Sequence, residues 1–405
     1  MSDSFDRMWA ELAPIGRNRT TGGYRRYSWE EADAEMRSWF VNSATARGME
    51  TATDRNGNIW AWWGTPGPGA VVTGSHLDSV PDGGAYDGPL GIVSAFAAVD
   101  ELQRCGLSSG TPLAVVAFVE EEGARFGVPC LGTRLLTGAI TPDRAAGLTD
   151  ADGITWARAM ENAGLDSTRI GAEPELLTNI AAFVELHIEQ GRGLLDAPVG
   201  VASAVWPHGR WRMDFSGRAD HAGTTRITDR SDPMVPFARC VLAARDAAES
   251  TGAVATVGKA RVWPNGTNAI PSRVRAWLDA RAPDEATLRE LTDAVDSAAQ
   301  RSSTEEGVFH ASYLESYTPV VEFASGLRDR VARLVGGAET PVPVLPTGAG
   351  HDAGVLAASV PTAMLFVRNP TGVSHAPAES ADPADCHAGV AALTEVLADL
   401  LTDGV

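Results

Sequence analysis

The sequence predicts an α/β layered protein interrupted by a smaller inserted α+β domain of ferredoxin-like topology. Three observations predict it. Short apolar runs alternate with helical spacing up to about Trp206, a β-α-β-β-α-β order follows, and α/β character returns near Tyr317. After a helical opening, Val71–Leu77 reads as a buried strand running into a turn rich in Asp, Pro and Gly. Leu90–Leu102 has the apolar spacing of a helix. Pro112–Val119 and Ile180–Ile188 are continuous apolar runs of the kind found inside parallel sheets. Strands alternating with helices place a site at the loops beyond the carboxyl ends of the strands.

In the middle of the chain, Gly209–Phe215 alternates like a half-exposed strand and Asp232–Ser250 reads as a helix. Thr256–Trp263 and Ser272–Arg281 flank the turn PNGTN as an antiparallel hairpin. A second helix at Asp284–Ala299 and a strand at Val308–Leu314 complete the ferredoxin-like order. Ala363–Val367 then reads as a strand and Ala384–Leu401 as a closing helix. The expected division is 1–207 with 318–405 for the larger domain and 208–317 for the insert.

Composition narrows the function classes. The 405 residues suffice for two domains, and 44% hydrophobic with 21% charged residues is ordinary for a globular protein. A net charge of −19 argues against nucleic acid and anionic membranes as partners. The opening MSDSFDRMWAELAPIG carries acids where a signal peptide needs a basic stretch, and no segment approaches the ~20 apolar residues of a membrane span. Four scattered cysteines without a C-x-x-C pair read as reduced thiols. A cytoplasmic location is expected.

Eight histidines make each position informative. His76 sits just past a buried strand, and Asp78 is placed to hold its other ring nitrogen, as metal-bound imidazoles usually require. Asp87 lies in the turn AYDGPLG. Glu120, Glu121 and Glu122 leave the end of the strand PLAVVAFV, a repulsive run unless a cation or shared proton relieves it. His187 ends another strand, and His375 lies in the loop VSHAPAE after a third. Each has a plainer reading: a hydrogen-bonded structural histidine, a solvated acidic run, an ordinary turn aspartate. Five such residues at strand ends or their turns favour a cation instead. Mixed His and carboxylate ligands without thiolate suit Zn²⁺, Mn²⁺ or Co²⁺ in a catalytic role. The residues alone leave the substrate open.

The segments GSHLDSVPDGGAYDGPLG, EEEGARFG, ELHIEQG, DHAGTT, NAIPSRVRAWLDAR, GAGHDA and SHAPAE, in this order, resemble the M20 peptidase superfamily. Within it they are most similar to the branch of N-carbamoyl-L-amino acid hydrolases and allantoate amidohydrolases. The resemblance implies a zinc-peptidase-like catalytic domain with a mixed central sheet, and a lid or dimerisation role for the insert. It implies two divalent metal ions per subunit, with Asp87 bridging, His76 and His187 completing one sphere, and Glu122 and His375 the other. Glu121 matches the general base. His187 separates this branch from the peptidases of the superfamily, which tend to carry an acid there.

The same resemblance assigns His221 to polarising the substrate carbonyl, often from the neighbouring subunit of a homodimer. Asn268 and Arg281 match carboxylate-binding residues, and Gln190 and His351 fall in contexts that touch substrate. A planar guanidinium suits a carboxylate because it donates two parallel hydrogen bonds. The chain departs from the pattern at Trp206-Pro207-His208, where many members carry a Gly-Gln-Arg-like stretch. The implied reaction is hydrolysis of a small ureido compound bearing a carboxylate. The competing readings are a dimetal peptidase or N-acyl amino acid hydrolase, and a catalytically silent binding protein.

Overall fold

The computed structural model describes residues 2–107, 110–336 and 342–405. The chain divides into two compact units, Met1–Ala204 with Glu322–Val405, and Val205–Val321. Along the first stretch come β1 (Glu50–Thr53), β2 (Ile59–Trp63), β3 (Ala70–His76), β4 (Leu113–Phe118), β5 (Ile180–Ile188) and β6 (Val199–Val205). The second unit holds β7 (His208–Ser216), β8 (Asp220–His221), β9 (Val254–Trp263), β10 (Ala269–Ile270), β11 (Arg273–Arg281) and β12 (Phe309–Thr318). Three strands follow: β13 (Val321–Glu322), β14 (Val344–Thr347) and β15 (Thr362–Val367).

The larger unit is built on a mixed sheet in the order β1-β2-β4-β3-β5-β15-β6-β13, with β14 beside β6. Its middle is parallel: β4 with β3, β3 with β5, and β5 with β15. These four are the runs that read as continuous apolar strands, and β3, β4 and β15 are buried along their whole length. Burial on both faces is what such a run needs, because alternation would leave half its side chains wet. The helices Pro89–Arg104 and Pro383–Asp403 help supply that cover, with Ile92, Phe96, Leu393 and Leu397 in one core with Val71, Val115 and Val184. Proline opens both helices, where the missing N–H costs nothing. The outer strands were not legible in advance. β1 reads ETAT with all four residues exposed, and β6 (VGVASAV) mixes valines with Gly, Ala and Ser.

The smaller unit is a four-stranded antiparallel sheet in the order β12-β7-β11-β9. Numbered within the unit this is 4-1-3-2, the ferredoxin-like order that the β-α-β-β-α-β reading predicts. β11 alternates strictly, with Val274, Ala276, Leu278 and Ala280 buried. They form one core with Cys240 and Ala244 of helix Met234–Thr251 and Leu291 and Val295 of helix Glu285–Glu305. No described helix in either unit is long and apolar enough to cross a membrane.

Phe215 is fully buried in the smaller unit's core. Phe215→Ala should lower stability by about 3–5 kcal/mol in denaturant unfolding, the usual cost of emptying such a site. A loss below about 1 kcal/mol would mean that this core collapses around the gap.

Candidate metal centre

Because β4, β3, β5 and β15 run parallel side by side, their carboxyl ends lie along one edge of the sheet. His76 closes β3, Glu120–Glu122 follow β4, His187 is the penultimate residue of β5, and His375 lies in the loop after β15. Asp87 reaches the same place from the turn before helix Pro89–Arg104. Its two carboxylate oxygens face different partners. Oδ1 lies 3.3 Å from Nε2 of both His76 and His187, and Oδ2 lies 3.2 Å from Nε2 of His375. Glu122 Oε2 is 3.4 Å from the same His375 nitrogen. The result is two donor groups sharing one carboxylate: His76, Asp87 and His187, and Asp87, Glu122 and His375.

The donor set fits a divalent cation. Nε2 of His76 and of His187 are buried and make no hydrogen bond, although both aim at Asp87 Oδ1. Buried ring nitrogens without partners are costly unless an electrophile takes their lone pairs. On the far side of each ring, Nδ1 is held by a carbonyl: that of Asp78 at 3.1 Å for His76, and that of Ile188 at 2.9 Å for His187. A proton on each Nδ1 leaves the lone pair on Nε2, the tautomer a metal ligand needs.

Asp78 holds the His76 ring nitrogen as expected, but through its carbonyl. Its carboxylate stands 3.6 Å from His76 Nδ1, farther than its own carbonyl. The two oxygens are turned instead towards the backbone amides of Glu121 and Glu122, accepting from each at 3.1 Å. Asp78 thus ties the loop after β3 to the loop after β4. Gly88 is required beside it: it sits at φ +84°, and a Cβ there would stand 2.5 Å from the His76 ring.

The three consecutive glutamates part company. Glu120, at φ +56° and fully buried, accepts from the amides of Arg125 and Phe126 and so closes a turn. Glu121 points inward, with Oε2 3.8 Å from His76 Nε2 and Oε1 accepting from the Cys130 thiol at 3.3 Å. Glu122 joins His375. Gln190 donates to Asp87 Oδ2 at 2.7 Å and lies 3.2 Å from His375 Nε2. His351 is buried with its ring 4.5 Å from that of His187. Behind them, Glu185 accepts from Ser75 Oγ and Ala353 N, and Asp352 accepts from Thr133 Oγ1.

Electrostatics follow from this crowding. Burial works against the charge of His76, yet Glu121, Asp78 and Asp87 hold it well above the usual imidazole range. Burial likewise opposes ionisation of Asp87, but His187, His375 and His76 keep it well below the usual carboxylate range. Burial pushes Glu121 well up, and pushes Glu122 up to about 7 with Asp87 adding to the effect. His351 is driven well below the ordinary value by burial and then by His187, so it is a neutral imidazole. His375, 49% exposed, is raised to about 9, since Asp87 and Glu122 outweigh its partial desolvation.

His221, Asn268 and Arg281 belong to the other unit. His221 and Asn268 come together there: β8 pairs with β10, His221 opposite Ala269, and Ala222 N donates to Asn268 O at 3.0 Å. Gly223 N donates to His221 Nδ1, which leaves Nε2 free to donate. Both short strands continue past the end of β11 that holds Arg273, while Arg281 closes its other end. Eight residues of strand separate the two ends by about 26 Å. Within one copy the unit does not gather its three predicted substrate residues around a small molecule. Arg281 also donates to both oxygens of Asp279, at 2.9 and 3.4 Å. Opposite Arg281 on β7 is His208, and Ala282 N donates to Pro207 O, so the unusual Trp206-Pro207-His208 stretch flanks this arginine.

Sequence reasoning missed Glu379, Ser374 and Cys130. Glu379 was inside a quoted motif, but an acid in a loop of Ala and Pro gives no sign that it will be buried.

Paired clusters of nitrogen and oxygen donors around a shared carboxylate, at the carboxyl edge of a mixed sheet, are candidate ligands for a metal centre suited to hydrolysis. The chain belongs to peptidase family M20/M25/M40, whose profile matches residues 72–399. It is 35% identical over 402 residues to an N-carbamoyl-L-amino acid amidohydrolase of Geobacillus stearothermophilus, covering 96% of each chain. It is 33% identical to an allantoate amidohydrolase of Escherichia coli (strain K12), over 94% of this chain and 93% of the relative. A crystal structure of a hydantoinase/carbamoylase family amidase from Burkholderia vietnamiensis superposes with a TM-score of 0.88 at 29% identity. That match covers 100% of this chain and 98% of the other. The protein is a hydrolase acting on linear amides, from a metal-dependent family.

The raised histidines set a pH dependence. Without a cation, their contribution to stability is complete below the ordinary imidazole value of 6.5 and is lost as pH rises through their elevated values, about 9 for His375. Asp87, being depressed, contributes above the ordinary carboxylate value of 3.8 and stops contributing on acidification through its lowered value. A cation must displace the imidazole protons. Mn²⁺ or Zn²⁺ affinity should therefore rise with pH towards about 9, with net proton release seen by calorimetry in buffers of different ionisation enthalpy. Uptake without proton release would contradict the protonated imidazoles.

Proposed function

We propose that this protein hydrolyses the carbamoyl C–N bond of an N-carbamoyl-L-amino acid, or of the close analogue allantoate, releasing ammonia and carbon dioxide. The observation that carries it is the split of Asp87, one oxygen towards His76 and His187 and the other towards Glu122 and His375. This is the ligand layout for two divalent ions, Zn²⁺, Mn²⁺ or Co²⁺. Supporting the substrate class are relatives named for N-carbamoyl-L-amino acids and allantoate along nearly the whole chain. Both compounds present a ureido group next to a carboxylate-bearing carbon.

A ureido carbonyl is a poor electrophile, so water must be made more nucleophilic and the developing oxyanion stabilised. Divalent ions held by His76, Asp87, His187, Glu122 and His375 would supply both effects. The residues do the rest. Glu121 lies against the donor group without belonging to it, which suits a base that takes the proton from water and returns it to the departing nitrogen. Cys130 holds one of its oxygens, leaving the other directed towards His76. His351, neutral and buried, offers a hydrogen bond to the substrate without adding charge. Gln190, already reaching Asp87, is placed to yield that contact to a ligand.

Arg281 is assigned to the substrate carboxylate, with the Trp206-Pro207-His208 stretch beside it tuning the side chain accepted. His221, as an Nε2–H donor, is assigned to the carbonyl, together with Asn268. The distance along β11 between that pair and Arg281 supports a homodimer in which His221 and Asn268 serve the partner's site. The smaller unit is then both lid and dimerisation domain.

Glu121→Gln should keep its metal and lose turnover of N-carbamoyl-L-amino acids by about 10²–10⁴-fold, the usual worth of a positioned base. Near-normal kcat would remove Glu121 from that role. Mixing inactive Glu121→Gln with inactive His221→Ala protein should restore activity, up to roughly a quarter of wild type by random pairing of a symmetric dimer. No recovery, with subunit exchange verified, would place His221 in its own chain's site. Arg281→Ala should chiefly raise KM for substrates with a free carboxylate, and equal loss on a carboxylate-free amide would count against the clamp.

A further inference from the structure

Two of the three segments that supply the second donor group are the turn carrying Asp87 and the loop carrying His375. They lie 288 positions apart in the sequence. The buried side chain of Glu379 spans them. Glu379 is 5% exposed, and its Oε2 accepts from the amides of Tyr86 at 2.9 Å and Asp87 at 3.1 Å. Its Oε1 accepts from Ser374 Oγ at 3.2 Å, the residue just before His375. Ser374 Oγ in turn lies 3.4 Å from Asp87 Oδ2 and accepts from Gln190 at 3.3 Å. The turn is shaped to admit this carboxylate: a Cβ on Gly84 would stand 2.1 Å from Glu379 Oε2. Tyr86 Oη closes the arrangement on Ala381 O at 3.3 Å.

We infer that Glu379 is a positioning residue for the metal centre, fixing the direction of the Asp87 carboxylate by gripping its backbone amide and locking that turn to the His375 loop through Ser374. It touches no cation itself. The amide of Asp87 is one bond from the atom that carries its side chain, so a hydrogen bond there orients the carboxylate directly. His375 needs the same restraint, because its backbone is held at φ +55°, a conformation uncommon for residues other than glycine. Asn369 helps from the other end of that loop, with Oδ1 accepting from Gly372 N at 3.0 Å.

What matters on this account is acceptor oxygen at the right reach. Glutamine at 379 keeps it: its oxygen can accept from both amides while its NH₂ donates to Ser374 Oγ. Aspartate keeps the charge but is one methylene shorter, so its oxygens cannot meet the Tyr86 and Asp87 amides and Ser374 together. Charge and reach are thereby separated in two conservative variants.

The inference rests on the proposed role of Asp87 as a metal ligand, so the experiment includes Asp87→Ala. Metal-stripped wild type, Glu379→Gln, Glu379→Asp, Glu379→Ala and Asp87→Ala are titrated with Mn²⁺ by calorimetry, and with Co²⁺ by its visible absorption, after circular dichroism verifies folding. Glu379→Asp and Glu379→Ala should bind about 10–100-fold more weakly, as removal of an outer partner of a metal ligand usually does. Their Co²⁺ spectra should also be altered, whereas Glu379→Gln should match wild type in both readings. If Glu379→Ala does not fold, Glu379→Asp and Glu379→Gln carry the comparison. Wild-type affinity and spectrum in Glu379→Asp would overturn the inference, as would a Glu379→Gln variant as impaired as Glu379→Ala. If Asp87→Ala binds Mn²⁺ as wild type does, the metal-centre reading itself fails, and with it the premise for Glu379.

Discussion

One carboxylate facing three imidazoles organises the larger unit's site. Asp87 Oδ1 meets His76 and His187, Oδ2 meets His375, and burial leaves little water to screen those attractions. Removing such a carboxylate from water is costly, so it persists only where partners compensate. The surrounding chain is arranged accordingly. Four parallel strands bring His76, Glu122, His187 and His375 to one edge, and Gly88 lets the Asp87 turn pass against the His76 ring. Asp78 spends its carboxylate holding two glutamate amides, and Glu379 holds the amide of Asp87 itself.

The same arrangement divides labour among acids that look alike in sequence. Glu120, Glu121 and Glu122 are consecutive, yet the first closes a turn, the second stands against His76 and the third joins His375. The left-handed backbone of Glu120 produces this division, because it turns the chain sharply at the strand end and so aims the next two side chains inward. Like charges so close raise one another's affinity for protons, and a divalent cation relieves that repulsion where water cannot reach.

Much of this was legible in the residues. His76 and His187 lie at the ends of strands opened by apolar residues, Val71-Val72 and Ile180–Val184, and β5 spans the very residues its hydrophobicity marks out. The smaller unit was legible because its strands alternate and its helices keep their spacing, and the observed strand order agrees. Other features were hidden by the nature of the signal. Asp78 sits two residues from His76, which invites a side-chain pairing, whereas its carboxylate turns to amides supplied 43 and 44 residues later. Glu379 acts through backbone amides, which any sequence would provide. The separation of His221 and Asn268 from Arg281 was implicit in a nine-residue strand, but closeness in the sequence conceals how far an extended chain travels.

The account turns on two cations flanking Asp87. Anomalous-difference maps from crystals grown with Mn²⁺ or Zn²⁺ test it most directly. Two peaks on opposite sides of the Asp87 carboxylate are predicted, one between His76 and His187 and one between Glu122 and His375. A single peak, or one among Glu185, His187 and His351, the other buried donor group in the described residues, would contradict it.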